Sequence, residues 1–335
     1  MSEPISQVND IASAVRDAGG RAMLVGGCVR DEIMGVAQKD WDVEVYGVEP
    51  ARLRAILDTI GDVNVVGEAF AVYKIGSDLD VSIPRRERKV SAGHRGFVVE
   101  GDPAMSFHEA CSRRDFTINA ILKDAITGEI VDPYEGRRDI ERKVLRMVSR
   151  DTFAEDSLRV LRACQFAARF EYEIEANTIE VCRSIDLSDL PNERIWGELE
   201  KLLLKPKRPS IGLKLLYELG VVDQLFPEMA SLVGVPQEPD WHPEGDVDVN
   251  TMMVVDEARK LIDGLDHPRK VAVMLGALAH DFGKPPTTEY VDGRTRSRGH
   301  DEAGVEPTLA FLDRIGVHTL DGFDVRDQVV QLVRY

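Results

Sequence analysis

No stretch of the sequence approaches the roughly 18 consecutive apolar residues that a membrane-spanning helix needs, and residues 1–17 hold no apolar core of the kind a secretion signal carries. No membrane partner is expected, and the cytoplasm is the expected compartment. Cysteine is scarce as well. Cys28, Cys111, Cys164 and Cys182 are scattered with no C-x-x-C pair, which argues against a disulfide framework and against a thiolate zinc site. Basic charge is in deficit: 42 Lys and Arg face 59 Asp and Glu, a formal net charge of −17. Taken alone, that balance speaks against a nucleic-acid partner, because phosphates need a basic surface. The deficit is uneven, however. Residues 84–150 hold 14 Lys/Arg against 11 Asp/Glu, leaving 28 against 48 elsewhere, so one basic region sits on an acidic chain.

A chain of 335 residues exceeds what one compact core usually serves, which predicts two or more domains. Residues 22–135 alternate helical patterns with short β-branched runs at 22–25, 41–46, 72–75, 79–83 and 130–131, predicting a mixed α/β unit. From about Asp151 the texture changes. Apolar residues recur at helical spacing through 158–170, 211–219, 252–261 and 271–278, so the remainder is expected to be all helix. Pro- and Gly-bearing stretches at 205–209 and 234–243 are the expected joints. The amphipathic segment 325–335 stops without a cap or breaker, so the natural chain is expected to continue.

Two local features carry chemistry. The apolar run Ala22-Met23-Leu24-Val25 leads straight into Gly26-Gly27, and Cys28-Val29-Arg30-Asp31 then opens a short helix. Two glycines let backbone approach an anion closely, free N–H groups face it, and Arg30 adds a cation, an arrangement suited to a triphosphate. The next strand, 39–46, places Asp40 and Asp42 on one face and Trp41, Val43 and Val45 on the other. The two carboxylates then project together, roughly 6–7 Å apart along the strand. Hard oxygen ligands in that array suit Mg²⁺ and displacement at phosphorus by two ions. Asp80, on the strand Leu79-Asp80-Val81, is the candidate third carboxylate, with Asp78 as its rival.

Gly26-Gly27-x-Val29-Arg30-Asp31 followed by Asp40-x-Asp42 resembles the signature of the DNA polymerase β-like nucleotidyltransferases. Three further motifs narrow the likeness: Arg113-Arg114-Asp115-Phe116-Thr117-Ile118-Asn119-Ala120, Asp132-Pro133-Tyr134-x-Gly136, and Glu155-Asp156-x-x-Arg159-x-x-Arg162. Their order resembles that of the class II tRNA nucleotidyltransferases, the CCA-adding enzymes, and of related bacterial poly(A) polymerases, over roughly residues 20–230. The resemblance implies an α+β fold: a polymerase β-like head with a mixed sheet (1–140), a helical neck that recognises the nucleobase (141–205), a helical body (206–235) and an HD-like helical domain (236–335), cut short at its end. It implies that Arg113, Arg114, Asp115 and Asn119 brace the ribose and phosphates of the nucleotide. The polar, glycine-bearing span 91–105 resembles the loop that helps CCA-adding enzymes switch from C to A. CC-only members lack that loop, which favours full C-C-A addition.

The last motif also has a physical reading. Asp156 and Arg159, three apart on an expected helix, would be neighbours on one face, with Arg162 a turn further. An acceptor beside a donor matches cytosine and adenine, which both present an exocyclic amino donor next to a ring-nitrogen acceptor. In the family, the matching residues are held to select C and A, with the match to Glu155 positioning the arginine. Near the carboxy end, His280-Asp281, with His300 about one loop later and Trp241-His242-Pro243-Glu244 before it, resembles the HD-bearing bacterial branch. Imidazole plus carboxylate suits a transition metal there. Two departures stand out: Asn250 occupies the place of the branch's first metal histidine, and its final aspartate is not evident before Tyr335.

The expectation is therefore a template-independent enzyme that uses Mg²⁺, CTP and ATP to add C, C and A to the 3′ end of tRNA. A CC-only or A-only enzyme and a poly(A) polymerase are the alternatives closest to it. A metal-dependent HD phosphohydrolase and a catalytically silent tRNA-binding protein are alternatives of other classes.

Overall fold

The computed structural model describes residues 3–37, 40–66, 72–89 and 97–335. Of the 91–105 span, residues 91–96 thus lie outside the described residues. The chain divides into two compact units, Met1–Glu155 and Asp156–Tyr335.

The first unit is built on a seven-stranded mixed sheet. Its strands are β1 (Arg21–Val25), β2 (Trp41–Tyr46), β3 (Val63–Val66), β4 (Val72–Ile75) and β5 (Leu79–Ser82), while β6 (Arg85–Lys89) and β7 (Phe97–Gly101) form a separate hairpin before β8 (Leu122–Asp124) and β9 (Ile130–Val131). The sheet order is β3-β4-β5-β2-β1-β8-β9. β2 and β5 pair in parallel and the other neighbours antiparallel. The helices are α1 (Glu3–Asp17), α2 (Gly27–Ile33), α3 (Pro50–Leu57), α4 (Phe107–Ser112), α5 (Gly136–Arg142) and α6 (Arg150–Phe153), with a 3₁₀ turn at Thr117–Asn119.

Strand alternation decides what each face meets. Val43 and Val45 of β2 turn toward a core with Ile11 and Val15 of α1 and Leu53 and Leu57 of α3. Tyr46, one step on, turns the other way and packs with Met23, Val25, Cys111 and Leu122. The helix α1 buries Val8, Ile11, Ala12 and Val15, the i, i+3, i+4, i+7 stripe of an amphipathic helix. Each buried valine or isoleucine here contributes about 1.5–3 kcal/mol, so Ile11→Ala should cost this layer about 2–5 kcal/mol. With both faces filled toward the middle of the sheet, open polar side chains collect at the end where β1 finishes and β2 begins.

The second unit is mainly helical, in keeping with its 3.6-residue periodicity. It comprises α7 (Leu158–Phe170), α8 (Ala176–Ser184), α9 (Asn192–Leu204), α10 (Ser210–Glu218), α11 (Val221–Leu225), α12 (Pro227–Ala230), α13 (Val247–Leu261), α14 (His267–Ala279), α15 (Lys284–Thr287), α16 (His300–Ala303), α17 (Val305–Ile315) and α18 (Val325–Arg334). The stretches 205–209 and 234–243 fall between helices. Two hairpins interrupt the expected all-helical texture. Thr288–Val291 pairs with Arg294–Ser297, and Thr319–Leu320 with Phe323–Asp324. Both turn on Asp-Gly, Asp292-Gly293 and Asp321-Gly322, with positive φ at all four residues, as the favoured two-residue turn requires. Among the described residues no helix is long and apolar enough to cross a membrane.

Candidate active site

Gly26 ends β1 and starts α2 with φ +70° and ψ −129°, a backbone conformation that a side chain would strain. A Cβ there would lie 3.1 Å from an Arg114 guanidinium nitrogen and 3.8 Å from the Asp42 carboxylate. The glycine turn, Arg114 and Asp42 are therefore immediate neighbours. On β2, Asp42 and Glu44 share a face and Val43 is buried on the other. Parallel pairing sets Asp80 of β5 directly beside Asp42, and antiparallel pairing sets Lys74 of β4 beside Asp80. Asp78, the rival to Asp80, instead occupies the exposed turn between β4 and β5, where its carbonyl accepts from the Trp41 N–H at 2.7 Å. Asp40 lies exposed just ahead of β2.

The electrostatics follow from this crowding. Surrounding protein raises the pKa of Asp42 by desolvation, and Asp80 and Asp40 push the same way, while Arg114 and Lys74 oppose them. Burial works against charge on Arg114, but Glu44, Cys111, Tyr46 and Asp42 outweigh it and hold the guanidinium cationic. Deeper on the same face Tyr46 donates to Glu44, which lies 3.8 Å from Arg114. Asp42 and Asp80, with Asp40 near, fit a divalent cation in donor type and in unrelieved like charge. They do not form a finished cage: among the described residues no group of three or more His, Cys, Asp or Glu stands ready to hold a metal. Mg²⁺ in phosphoryl transfer commonly takes one or two carboxylates and completes its shell with water and substrate phosphate.

Arg30 departs from its expected place. It is only 4% exposed, and its guanidinium reaches Asn119 Oδ1 at 2.5 Å and Asp31 at 2.6 Å. Asn119 in turn donates to Asp115, which also accepts the Phe116 N–H. This buried chain ties α2 to the 3₁₀ turn. Arg113 is half-buried at the end of α4. The Asp132-Pro-Tyr-x-Gly136 motif proves architectural as well. Asp132 accepts from the Gly136 and Arg137 N–H groups, and a Cβ on Gly136 would strike the Thr117 carbonyl at 2.1 Å.

In the second unit Asp156 is not on a helical face with Arg159. It lies ahead of α7, where its side chain accepts from the Leu158 N–H at 3.2 Å and from Arg194 at 3.0 Å. Aspartate favours such a position because its short side chain can satisfy a helix-start N–H. Arg162 does lie on α7, 3.7 Å from Glu198 of α9 and over the Phe166 ring at 5.0 Å.

Comparison with known proteins decides the family. The poly A polymerase head domain matches residues 22–146, and a probable RNA- and SrmB-binding site of polymerase A matches 171–232. The multifunctional CCA protein of Stenotrophomonas maltophilia is 40% identical over 306 residues, covering 88% of this chain and 71% of that protein. The chain belongs to the class II tRNA nucleotidyltransferases. A tRNA nucleotidyltransferase solved with a primer tRNA and an incoming ATP analog has 27% identity and a TM-score of 0.53, covering 77% of each chain. The Bacillus stearothermophilus CCA-adding enzyme, solved with CTP, shares the fold at a TM-score of 0.64, with 24% identity over 100% of this chain and 78% of its own.

This nucleotidyltransferase has a second group of chemistry-bearing side chains near its carboxy end. Asp281 is 1% exposed. His280 Nε2 stands 3.2 Å and His300 Nε2 3.8 Å from its carboxylate, with Lys284 at 2.9 Å. Each imidazole turns Nδ1 to a backbone carbonyl, Ala277 at 2.9 Å and Ser297 at 2.8 Å. Asn250 donates to Glu244, which also pairs with His242. Beside the group lies a cavity of about 520 Å³ lined by Trp241, His242, Lys284, Arg296, Arg298 and His300 among others. Burial pushes the Asp281 carboxyl up, but hydrogen bonding and charge from His280 and Lys284 outweigh it and hold it below the usual carboxylate range.

Sequence reasoning left Lys74, Glu44 and Arg194 out of the candidate site. Glu44 had a signal, the same strand parity as Asp40 and Asp42. Lys74 and Arg194 had none, because each meets its partner only through long-range packing.

Proposed function

We propose that this nucleotidyltransferase adds C, C and A to the 3′ end of tRNA from CTP and ATP without a template, releasing pyrophosphate. The observation that carries the reading is the register that sets Asp42 beside Asp80, within reach of the Gly26 turn, in a chain of this family. Asp42 and Asp80, aided by Asp40, are the residues that would hold Mg²⁺. Bound there, divalent ions supply charge that eases loss of the 3′-hydroxyl proton and steadies the departing pyrophosphate. The Gly26-Gly27 backbone lets a triphosphate approach closely, Arg114 contributes fixed positive charge beside it, and Arg30, Asp115 and Asn119 tie α2 to the 3₁₀ turn. Choice of base is assigned to Asp156, Arg159 and Arg162. A reducing cytoplasm is the compartment this activity and four free cysteines suit.

The test is incorporation of labelled CTP and ATP into tRNA lacking its 3′ end, by the wild type and by Asp40→Ala with Asp42→Ala. Undiminished incorporation by the double variant would end the proposal. Parallel assays on tRNA ending before the first C, tRNA ending after CC, and a generic RNA separate full CCA addition from CC-only, A-only and poly(A) synthesis.

A second reading is favoured by one observation, two imidazole Nε2 atoms facing one buried carboxylate. Where Nδ1 is fixed on a carbonyl, Nε2 is the nitrogen available to a metal. His280, Asp281 and His300, which do not stand as a ready-made cage, are the residues that would hold a transition metal, which would supply a bound water for attack on phosphoesters. Hydrolysis that needs Ni²⁺ or Mn²⁺ and disappears in His280→Ala supports this activity. Hydrolysis that survives the substitution removes it.

A further inference from the structure

The sheet sets Lys74, Asp80 and Asp42 in one row across β4, β5 and β2, each the direct register partner of the next. Neighbouring strands are about 4.8 Å apart, so same-face side chains in such a row interact. Lys74 does more than lean toward Asp80. Its ammonium stands 3.0 Å from Oδ1 and 3.0 Å from Oδ2, covering both oxygens that a cation at Asp80 would use. The pair is open to water, with side chains 42% and 34% exposed, so nothing locks the lysine there. Its charge also opposes the carboxylate repulsion felt by Asp42. At the other end of the row lies the glycine turn.

We propose that Lys74 is the resident counter-cation of the carboxylate row, holding Asp80 before a divalent ion arrives and yielding it when the ion binds. It is a positioning residue, not a catalytic one. The inference rests on the reading of Asp42 and Asp80 as metal-holding carboxylates. Its consequence is that Lys74 weakens capture of a bare divalent ion. An ion that arrives with a nucleotide brings phosphate ligands that offset the competition, so the row favours loaded nucleotide over free metal.

The ordinary alternative is an exposed cross-strand ion pair with no bearing on the metal. The two are separated by titrating the full chain, without nucleotide, with Mn²⁺ and following free ion by electron paramagnetic resonance. Lys74→Met is expected to bind Mn²⁺ on the order of tenfold more tightly than wild type at low salt, because one unit of positive charge a few ångströms from a divalent ion is removed. The gain should shrink as salt screens it. Lys74→Arg, which keeps the charge, should stay near wild type. Lys74→Gln serves as a second neutral variant if circular dichroism shows that Lys74→Met has not folded.

Unchanged or weaker Mn²⁺ binding in the folded neutral variant, with binding lost in Asp42→Asn, overturns the role of Lys74 and leaves the carboxylates as metal ligands. Mn²⁺ binding that is indifferent to Asp42→Asn removes the metal reading and this inference with it.

Discussion

Asp42 in the first unit and Asp281 in the second are both carboxylates crowded by charged neighbours, and those neighbours pull them in opposite directions. Asp42 sits on a strand, open to solvent at its edge, with Asp80 and Asp40 as company. Desolvation and those two like charges leave it harder to ionise than an ordinary aspartate. Asp281 is sealed at a helix end and ought to suffer more from burial, yet His280 and Lys284 leave it easier to ionise. Burial alone therefore predicts the case of Asp42 and fails for Asp281. What decides is whether the surrounding groups supply enough positive charge to offset the cost of burial.

The contrast is tested hardest by activity. Asp42→Asn should lower nucleotide transfer on the order of a thousandfold, because a metal-held transition state loses several kcal/mol; single-turnover incorporation measures it. A residual rate close to wild type would remove the distinction between the two carboxylates.

Next comes stability in the second unit. Asp281→Asn leaves the half-buried Lys284 without its anion and should cost about 3 kcal/mol, read from denaturant unfolding followed by hydrogen exchange in α14 and α17. Because the folded pKa of Asp281 is depressed, the stability it contributes is present above the ordinary carboxylate pKa of about 3.9 and is lost as pH falls through the folded value. The wild-type advantage over Asp281→Asn should therefore fade in acid.

Gly26→Ala is expected to cost about 1–2 kcal/mol through its positive φ. It should also raise KM for the nucleotide as the new methyl crowds Arg114 and Asp42. A variant with unaltered KM would separate the glycine turn from the nucleotide.

The smallest effect has the opposite sign to that at Asp281. In metal-free protein Asp42→Asn should stabilise β2 and β5, by less than about 1 kcal/mol once solvent screening is allowed for, measurable as slower amide exchange. The folded pKa of Asp42 is raised, so its cost is absent below the unfolded carboxylate pKa and grows as pH rises through the folded one. The gain from Asp42→Asn should appear at neutral pH and vanish in acid.

Much of this was legible locally. The alternation in Asp40-Trp41-Asp42-Val43 states which side chains share a face, and Gly26-Gly27 after an apolar run marks a strand-to-helix turn. The periodicity of 158–170 gives α7 with the bounds observed. Asp292-Gly293 and Asp321-Gly322 carried a readable hairpin signal that the flanking helical texture obscured. The inward course of Arg30 was not legible: an arginine one turn into a helix can face a ligand or the interior equally well, and here Asn119, 89 positions away, draws it inward. Asp156 and Arg159 have the spacing of helical neighbours, but α7 begins only at Leu158, and Arg194 of α9 claims the carboxylate.

By itself the sequence determined the family, through five ordered motifs, and the period of its elements, because strand and helix repeats of two and 3.6 residues are written in neighbouring side chains. Only the tertiary structure decided that Asp80 rather than Asp78 stands beside Asp42, that Lys74 covers Asp80, and that His280 and His300 converge on Asp281. Those pairings depend on sheet register and helix docking between segments far apart in the chain. Their energy comes from the packing of the whole unit, and no short window of residues contains it.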